Sequence, residues 1–289
     1  MLILTSAAEV TAVSKEAHRA GKRVGFVPTM GALHEGHLSL VRTARAQSDI
    51  VVVSVFVNPT QFGPAEDFSK YPRDPERDAA MLAAEKTDCL FLPETEEMYP
   101  AGAESWVTVA GLGEKLDGRS RPGHFRGVTT VVAKLFNIVQ PDFAFFGQKD
   151  AAQVAIISKM VRDLNFDVRV VVCPIVRETD GLAMSSRNAY LNPEQRKQAL
   201  VLYRSLMRVQ NLVDRGETSA ARLSVAGTQV IAEEPAVKLD YFEIVDRATL
   251  DPVTDISAGA LVAVAAYVGA TRLIDNLIVM GPGRSKSTT

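Results

Sequence analysis

Cysteine and tryptophan are scarce in this chain, whose 289 residues include two cysteines and one tryptophan. So few thiols exclude a disulfide-rich scaffold. Cys89 and Cys173 each lie inside an apolar run typical of a buried strand, so we predict two free, buried thiols rather than a disulfide or a metal site. A reducing cytoplasm is therefore the expected compartment.

Long apolar runs and blocks of like charge are also lacking. No stretch reaches the length of about 20 apolar residues that spans a bilayer, and the apolar start of the chain is too short for a secretory signal. The net charge is -2 and acids and bases are interspersed, so the basic surface typical of a nucleic-acid-binding protein is not expected. We expect neither a membrane nor a nucleic acid as partner.

Hydrophobic residues are plentiful at 47%, and 289 residues suffice for about two domains. Up to Pro174, apolar runs of strand length alternate with segments of helical period, which predicts a parallel sheet covered by helices. We place strands at residues 23–27, 50–57, 89–92, 106–109, 143–146 and 168–173, and helices at residues 37–47, 75–86, 125–139 and 151–164.

After Pro174 helices come first and strands follow, which predicts an antiparallel α+β unit. We place one helix at residues 193–213, another before Pro235, and strands at residues 239–245, 261–268 and 273–279. The predicted fold class is α/β, with a Rossmann-like parallel-sheet domain over residues 1–176 and a smaller α+β domain over residues 177–289. The tail at residues 284–289 is expected to be disordered.

The segment PTMGALHEGH, residues 28–37, joins an apolar strand to a helix that is expected to begin near Glu35. Its glycines allow close backbone approach, and the free N–H groups of a helix N-terminus favour a bound anion. His34 and His37 add donors, and their spacing, interrupted by Gly36, differs from the i, i+4 histidines of zinc metalloproteases. The turn predicts a nucleotide-phosphate site. The alternative is a structural corner in which one histidine caps the helix.

Two other segments carry groups suited to phosphates. In FFGQKDAAQ, Lys149 is a mobile charge that fits a triphosphate, but an ordinary ion pair with a capping Asp150 is the alternative. In GLAMSSRNAYL, Ser185, Ser186 and Arg187 can close over a phosphate chain, but a turn that caps the next helix explains them equally well.

Uncharged amides form a fourth group of candidates. Gln61 and Gln153 can read the hydroxyls or the carboxylate of a small polar substrate, although surface glutamines are common. His124 and Arg126, in RPGHFRGV, have the same ambiguity, whereas His18 is expected on the surface of an early helix.

Together these segments resemble the pantoate–β-alanine ligase (pantothenate synthetase) family, nucleotidyltransferases with HIGH- and KMSKS-type signatures related to those of class I aminoacyl-tRNA synthetases. The resemblance covers nearly the whole chain. It departs at Ala151 and Ala152, where relatives carry glutamine at the second position and often an aromatic residue at the first; this concerns local packing. The matching motifs are PTMGALHEGH, NPTQFGPAEDFSKYPR, RPGHFRGVTTVVAKLFNIVQPD, FFGQKDAAQ, GLAMSSRNAYL and TRLIDN.

The resemblance implies an ATP-dependent ligation in two steps. The pantoate carboxylate attacks the α-phosphorus of ATP to give pantoyl adenylate and pyrophosphate, and the β-alanine amine then displaces AMP. No covalent enzyme intermediate is expected, and no serine or cysteine of the sequence forms an evident triad. Such catalysis depends on positioning and on charge neutralisation. Mg²⁺ is expected with ATP, and the protein is expected to form a homodimer.

Site residues follow from the same resemblance. The catalytic candidates are His37, His34, Lys149, Ser185 and Arg187. The pantoate and β-alanine candidates are Gln61 and Gln153, and Asp78 is the candidate Mg²⁺ ligand. The ATP-binding candidates are Met30, Gly31, Ala32, Leu33, His34, Glu35, Gly36, His37, Gly147, Gln148, Lys149, Asp150, Val176, Met184, Ser185, Ser186 and Arg187.

Four other functions stay open at this point. A dinucleotide-binding dehydrogenase would share the first domain, but no G-x-G-x-x-G follows an early strand. A tRNA synthetase relative would share both signatures, but the slightly acidic balance offers little for tRNA. A protein that binds ATP without turnover fits the motifs too, and a related nucleotidyltransferase would act on another small substrate, for example with CTP.

Overall fold

The structure is a computed structural model that describes residues 1–64 and 66–281. It divides into two compact units. Unit 1 comprises Met1–Gln148 and Ile156–Val176, and unit 2 comprises Lys149–Ala155 and the chain from Arg177 onward. The tail at residues 284–289, predicted to be disordered, lies outside the described residues.

The first part of the chain alternates strands and helices, as predicted. The strands are β1 (Leu2–Leu4), β2 (Val24–Thr29), β3 (Ile50–Val55), β4 (Cys89–Phe91), β5 (Phe143–Gly147) and β6 (Arg169–Cys173). The helices are α1 (Ala7–Arg19), α2 (Glu35–Gln47), α3 (Pro75–Ala84), α4 (Thr95–Met98), α5 (Asp117–Ser120), α6 (His124–Val139) and α7 (Ala151–Asp163). Short 3₁₀ turns lie at Pro59–Gln61, Leu112–Glu114 and Gln148–Asp150.

The six strands form one parallel sheet in the order β1-β4-β3-β2-β5-β6, which confirms the predicted architecture. β2 lies between β3 and β5, with Val24 opposite Ile50 and Gly25 opposite Phe143. The central strands are buried on both faces, which explains their continuous apolar sequences. The chain order reverses between β2 and β5. At such a reversal the carboxyl ends of the strands border a crevice where open α/β sheets bind ligands.

The strand predicted at residues 106–109 is wrong, because this segment pairs with a helix instead of a strand. The N–H of Val107 donates to the hydroxyl of Thr130 on α6 at 3.0 Å, and its carbonyl accepts from Thr129. Trp106 is 46% exposed and lies against the guanidinium of Arg126. The segment is apolar, as the sequence shows, but threonine side chains and not a neighbouring strand form the hydrogen bonds to the backbone of Val107. The three-residue strand β1, which pairs with β4, was not predicted.

After the boundary, helices precede strands, as predicted. The helices are α8 (Pro193–Gln198), α9 (Leu200–Asp214) and α10 (Ala220–Ala232), after a 3₁₀ turn at Ser186–Tyr190. The strands are β7 (Val237–Val245), β8 (Ala260–Val268) and β9 (Thr271–Val279). They form an antiparallel sheet in the order β7-β8-β9, with a core that includes Leu202, Leu206, Leu223 and Val264. The single helix predicted at residues 193–213 is interrupted at Ala199.

The two thiols are free and buried, as predicted, in β4 and β6. Burial raises the pKa of Cys89 to about 11, which makes it an inert core residue. No helix within residues 1–64 and 66–281 combines the length and the apolar character that crossing a bilayer requires.

Candidate active site

The turn after β2 has an unusual backbone. Gly31 and Ala32 both have positive φ, at 80° and 50°, and the turn delivers the chain to α2, which begins at Glu35 as predicted. A Cβ at position 31 would lie 2.9 Å from Asp78 Oδ2 and from Val55 Cγ1. Glycine is therefore required here for its conformation and for space.

His34 and His37 cap α2 reciprocally. Nδ1 of His34 accepts from the N–H of Gly36 at 3.1 Å, and Nδ1 of His37 accepts from the N–H of His34 at 3.3 Å. The ring centroids are 4.1 Å apart. The structural alternative, a capping histidine, is thus part of the geometry. It also has a chemical consequence, because a neutral imidazole that accepts through Nδ1 carries its proton on Nε2.

Asp78, the candidate Mg²⁺ ligand, contacts the backbone of this turn. Its side chain is buried in α3, 1% exposed. Oδ2 accepts from the N–H of Ala32 at 2.9 Å and Oδ1 from the N–H of Leu33 at 2.8 Å. Burial raises the pKa of this carboxyl, and the two N–H donors oppose that shift. The carboxylate therefore holds the backbone of the turn in place.

Gln61 is a buried, oriented amide and not a surface residue. It is 8% exposed, its Oε1 accepts from Asn58 Nδ2 at 3.0 Å, and its Nε2 lies 3.0 Å from the sulfur of Met30. Asn58 in turn accepts from the hydroxyl of Tyr99 at 2.9 Å. The fold thus brings Gln61 to the turn that carries Met30, next to the carboxyl end of β3.

His124, on α6, contacts the main chain of Gln61. Its Nδ1 lies 2.8 Å from the carbonyl of Gln61 and its Nε2 lies 3.0 Å from Arg121 Nη1. A carbonyl only accepts and a guanidinium only donates, so His124 is neutral with its proton on Nδ1. Arg121 also forms a bidentate ion pair with Glu66, at 2.7 and 2.6 Å. Burial, and then the charge of Arg121, lower the pKa of His124 to about 4.

This shift predicts a pH dependence of stability. Below about pH 6.5 the unfolded chain binds a proton at His124 that the folded protein does not bind until about pH 4, so acid favours unfolding. We expect His124 to lower the free energy of unfolding by about 2 kcal/mol between pH 7.5 and pH 5. Urea unfolding at both pH values measures this change.

A matched pair of variants isolates the effect. His124→Asn keeps a donor toward Gln61 but does not titrate, so its stability loss between pH 7.5 and pH 5 should be about 2 kcal/mol smaller than that of the wild type. His18→Asn removes a histidine that pairs with Asp142 at 3.2 Å near the surface, and it should keep the wild-type acid response of His124. An equal loss in His124→Asn and wild type would contradict the assignment.

In unit 2, Lys149 lies in the turn that precedes α7. Its Nζ is 3.7 Å from Asp150 Oδ1, and its side chain is 22% exposed. The ion pair that formed the structural alternative is therefore present, in a loose form. Gln153 follows in the first turn of α7 and is half-buried. In unit 1, Gly147 ends β5 and Gln148 follows it, beside the carboxyl end of β2.

The loop predicted to close over phosphates also belongs to unit 2. Ser185 accepts from the N–H of Arg187 at 3.2 Å and begins the 3₁₀ turn, so the capping alternative describes its local structure. Gly181, at the start of the loop, has a φ of 100°, and a Cβ there would collide with the ring of Tyr203. The loop is therefore shaped by close packing. Val176, at the end of unit 1, and Met184 are both half-buried.

Several residues of these networks were not predicted as functional. Asn58 and Arg121 lie within motifs that the sequence singled out, yet their partners became visible only in the fold. Asp275 and Asn276, in TRLIDN, were not predicted either. They are polar residues in an otherwise apolar strand, and that contrast could have marked them as candidates. Within the described ranges, no three His, Cys, Asp or Glu side chains form a group suited to a metal.

Comparison with known proteins gives a consistent result. The profile of the family "Pantoate-beta-alanine ligase" matches residues 2–278. A pantothenate synthetase of Koribacter versatilis is 64% identical over 286 residues, which cover 99% of this chain and 98% of that protein. One from Thermotoga neapolitana is 57% identical over 279 residues, 96% of this chain and 100% of that protein.

Solved structures agree. The pantothenate synthetase of Thermus thermophilus superposes with a TM-score of 0.91 at 49% identity, covering 96% of this chain and 99% of that one. A pantoate-beta-alanine ligase of Francisella tularensis, solved in complex with beta-gamma ATP and beta-alanine, gives 0.78 at 32% identity over 96% of this chain and 97% of that one.

Proposed function

The chain belongs to the pantoate–beta-alanine ligase family and is a ligase that condenses pantoate with β-alanine, and we propose that it does so through an adenylate at the carboxyl edge of its parallel sheet. In the first step a pantoate carboxylate oxygen attacks the α-phosphorus of ATP, and pyrophosphate leaves. In the second step the β-alanine amine attacks the acyl carbon, AMP leaves, and the amine loses a proton.

The observation that carries this proposal is the capped histidine turn at the reversal of the sheet. The reciprocal caps point to protonated Nε2 atoms on His34 and His37, next to the N-terminus of α2. Donors and a helix N-terminus together suit the phosphates of ATP and the charge that develops during transfer. The relative from Francisella tularensis, solved with an ATP compound, supports ATP as the substrate here.

Unit 2 carries further groups whose chemistry suits a phosphate chain. Lys149 supplies a mobile positive charge, and Ser185, Ser186 and Arg187 supply hydroxyls and a guanidinium for charge-assisted hydrogen bonds. Pyrophosphate leaves with additional negative charge, so cations placed on the leaving group lower the barrier most. These roles are proposed from the chemistry of the side chains and from their place in the family motifs.

Pantoate would be held by the amides of Gln61 and Gln153. The buried contacts of Gln61 with Asn58 and Met30 fix the plane of its amide, so that it can discriminate among ligands. An amide recognises a hydroxyl or a carboxylate without adding charge that would compete with the phosphate contacts.

Mg²⁺ is proposed to accompany ATP, where it would supply charge neutralisation on the phosphate oxygens. An ion held mainly by phosphate oxygens and water needs only one or two protein carboxylates. Asp78 fits this role poorly, because each of its oxygens already accepts a backbone N–H and its side chain is 1% exposed. We therefore propose a positioning role for Asp78 and leave the ion to the nucleotide.

A homodimer and a cytoplasmic location remain predictions. Apolar side chains on both edge strands of the parallel sheet support self-association: Ile3 of β1 is 54% exposed and Val172 of β6 is 43% exposed. Light scattering coupled to gel filtration measures the mass of the assembly directly.

The deciding experiment is exchange of labelled pyrophosphate into ATP. We expect exchange that depends on pantoate and does not require β-alanine, followed by AMP and pantothenate when β-alanine is added. Exchange with CTP in place of ATP would indicate a related nucleotidyltransferase. Binding of ATP without any exchange would indicate a nucleotide-binding protein without turnover.

Replacing Gln153 with leucine should weaken pantoate binding by about tenfold or more while sparing ATP, because a buried polar group of the ligand would lose its partner. Calorimetric titration with each ligand measures both constants. Gln229→Leu, at an exposed position of α10, is the matched control and should leave both unchanged. A wild-type pantoate constant in Gln153→Leu would reject the assignment.

A further inference from the structure

Strand β9 contains two adjacent polar residues, Asp275 and Asn276, which the mechanism above does not use. Each is only 3% exposed. Burying a carboxylate and an amide is unfavourable unless both are hydrogen-bonded, so their partners indicate what this pair of residues contributes. The partners described below lie in unit 2.

Asn276 binds the main chain that carries Lys149. Its Nδ2 donates to the carbonyl of Lys149 at 2.9 Å. Lys149 lies in the short turn between β5 and α7, where no strand partner fixes its carbonyl. The bond from Asn276 therefore sets the point from which the lysine side chain extends.

Asp275 binds Arg177, and Arg177 contacts the start of the loop at residues 181–187. The two Arg177–Asp275 hydrogen bonds measure 2.6 Å and 2.9 Å, a bidentate pair. Nη1 of Arg177 also donates to the carbonyl of Gly181 at 3.0 Å, and its guanidinium lies 4.7 Å from the ring centre of Tyr203. The carboxylate thus orients the cation that holds the beginning of the loop leading to Ser185.

The two anchors are also joined to each other. The N–H of Asn276 donates to Asp275 Oδ1 at 2.7 Å. Both residues pair with β8, opposite Val264 and Ala263, so they sit on a rigid sheet and not on a loop. One dipeptide therefore holds two chain segments that are about 30 residues apart in sequence.

We propose that Asp275 and Asn276 are positioning residues that hold Lys149 and the 181–187 loop in one fixed arrangement for the phosphate chain of ATP. The inference rests on the proposed function, which assigns both segments to the nucleotide. Neither residue touches the substrate itself. They act by removing freedom from groups that must be in place when pyrophosphate leaves.

Pyrophosphate exchange by Asn276→Ala and Asp275→Asn tests the proposal. Both variants should lose at least about tenfold in kcat, with the KM for pantoate within about twofold of the wild type. Asp240→Asn is the matched control. Asp240 of β7 forms an ion pair at 2.7 Å with Arg272, which lies in β9 like Asp275, but this pair joins β9 to β7 and not to Lys149 or the 181–187 loop. The kcat of Asp240→Asn should be that of the wild type. Equal losses in all three variants would indicate general destabilisation and overturn the proposal.

A double-mutant cycle shows whether Asn276 acts through Lys149. Added to Lys149→Ala, the Asn276→Ala change should slow exchange by no more than about twofold. If folded Asn276→Ala keeps the wild-type kcat while Lys149→Ala is strongly impaired, the positioning role of Asn276 is overturned and the proposed function is not. Wild-type exchange in Lys149→Ala would instead reject the proposed function.

A second variant covers the case in which Asp275→Asn does not fold. Arg177→Lys keeps the charge next to Asp275 but loses the bidentate fork and the bond to Gly181. It should show the same loss of kcat, and hydrogen exchange at residues 181–187 should be at least about tenfold faster than in the wild type. Wild-type exchange protection together with wild-type kcat would overturn the role of Asp275.

Discussion

Replacing His37 with alanine is expected to slow adenylate formation by about a hundredfold or more. The reason is the cap geometry: Nδ1 accepts from the N–H of His34, which leaves the proton on Nε2 as a donor for a phosphate oxygen. Such a donor contributes most when charge develops on the transferring group. Single-turnover release of pyrophosphate measures the step directly.

Two further variants separate capping from chemistry. The amide oxygen of asparagine can replace Nδ1 as the cap, so His37→Asn should keep the stability of the helix start but remain about as slow as the alanine variant. Glutamine places its amide nearer to Nε2, so His37→Gln should recover part of the rate. Wild-type pyrophosphate release in His37→Asn would refute the catalytic role.

Asp78→Asn is expected to lower both stability and adenylation. Asparagine has one acceptor oxygen, so either Ala32 or Leu33 would present its buried N–H to an amide NH₂ group. An unsatisfied buried donor costs about 1–3 kcal/mol, and the lost charge-assisted bond adds to that cost. The displaced turn should slow pyrophosphate release by about a hundredfold. Urea unfolding without nucleotide and single-turnover kinetics measure the two effects.

Magnesium titration distinguishes this role from metal binding. If Asp78 positions the turn, its asparagine variant is less stable without any ion, and saturating Mg²⁺ does not restore the rate. If it were a metal ligand, stability would be unchanged and excess Mg²⁺ would rescue activity. Asp74→Asn is the control, because Asp74 caps the same helix by accepting from the N–H of Arg77, and asparagine caps equally well.

Periodicity predicted most of the elements because burial on both faces of a parallel sheet demands continuous apolar strands. The wrong strand at residues 106–109 shows the limit of that reasoning. An apolar run indicates burial but not its partner, and here Thr129 and Thr130 of α6 satisfy the backbone of Val107. The break at Ala199 was also missed, because Ala199 itself has right-handed helical angles (φ -58°, ψ -25°) and its residue type does not mark an interruption.

The candidate site was predictable to the extent that its residues lie in contiguous motifs. Strand, glycines and histidines between residues 24 and 37 indicated an anion site because each contributes locally. The structure added that Gln61 is buried and that Asp78 binds the turn, contacts that span 31 and 46 residues between partners. The spacing of residues in the sequence does not indicate such long-range contacts.

Residue order and composition were enough to predict the class of fold and a turn suited to an anion, and the motifs were enough to indicate the family. These properties depend on local chemistry: period, turn residues and the groups available for an anion. Tertiary structure alone decided that the histidines cap through Nδ1, that His124 is neutral, and that Asp275 and Asn276 anchor two distant segments. The physical reason is that hydrogen bonds and desolvation depend on which groups the fold brings within about 3 Å of one another.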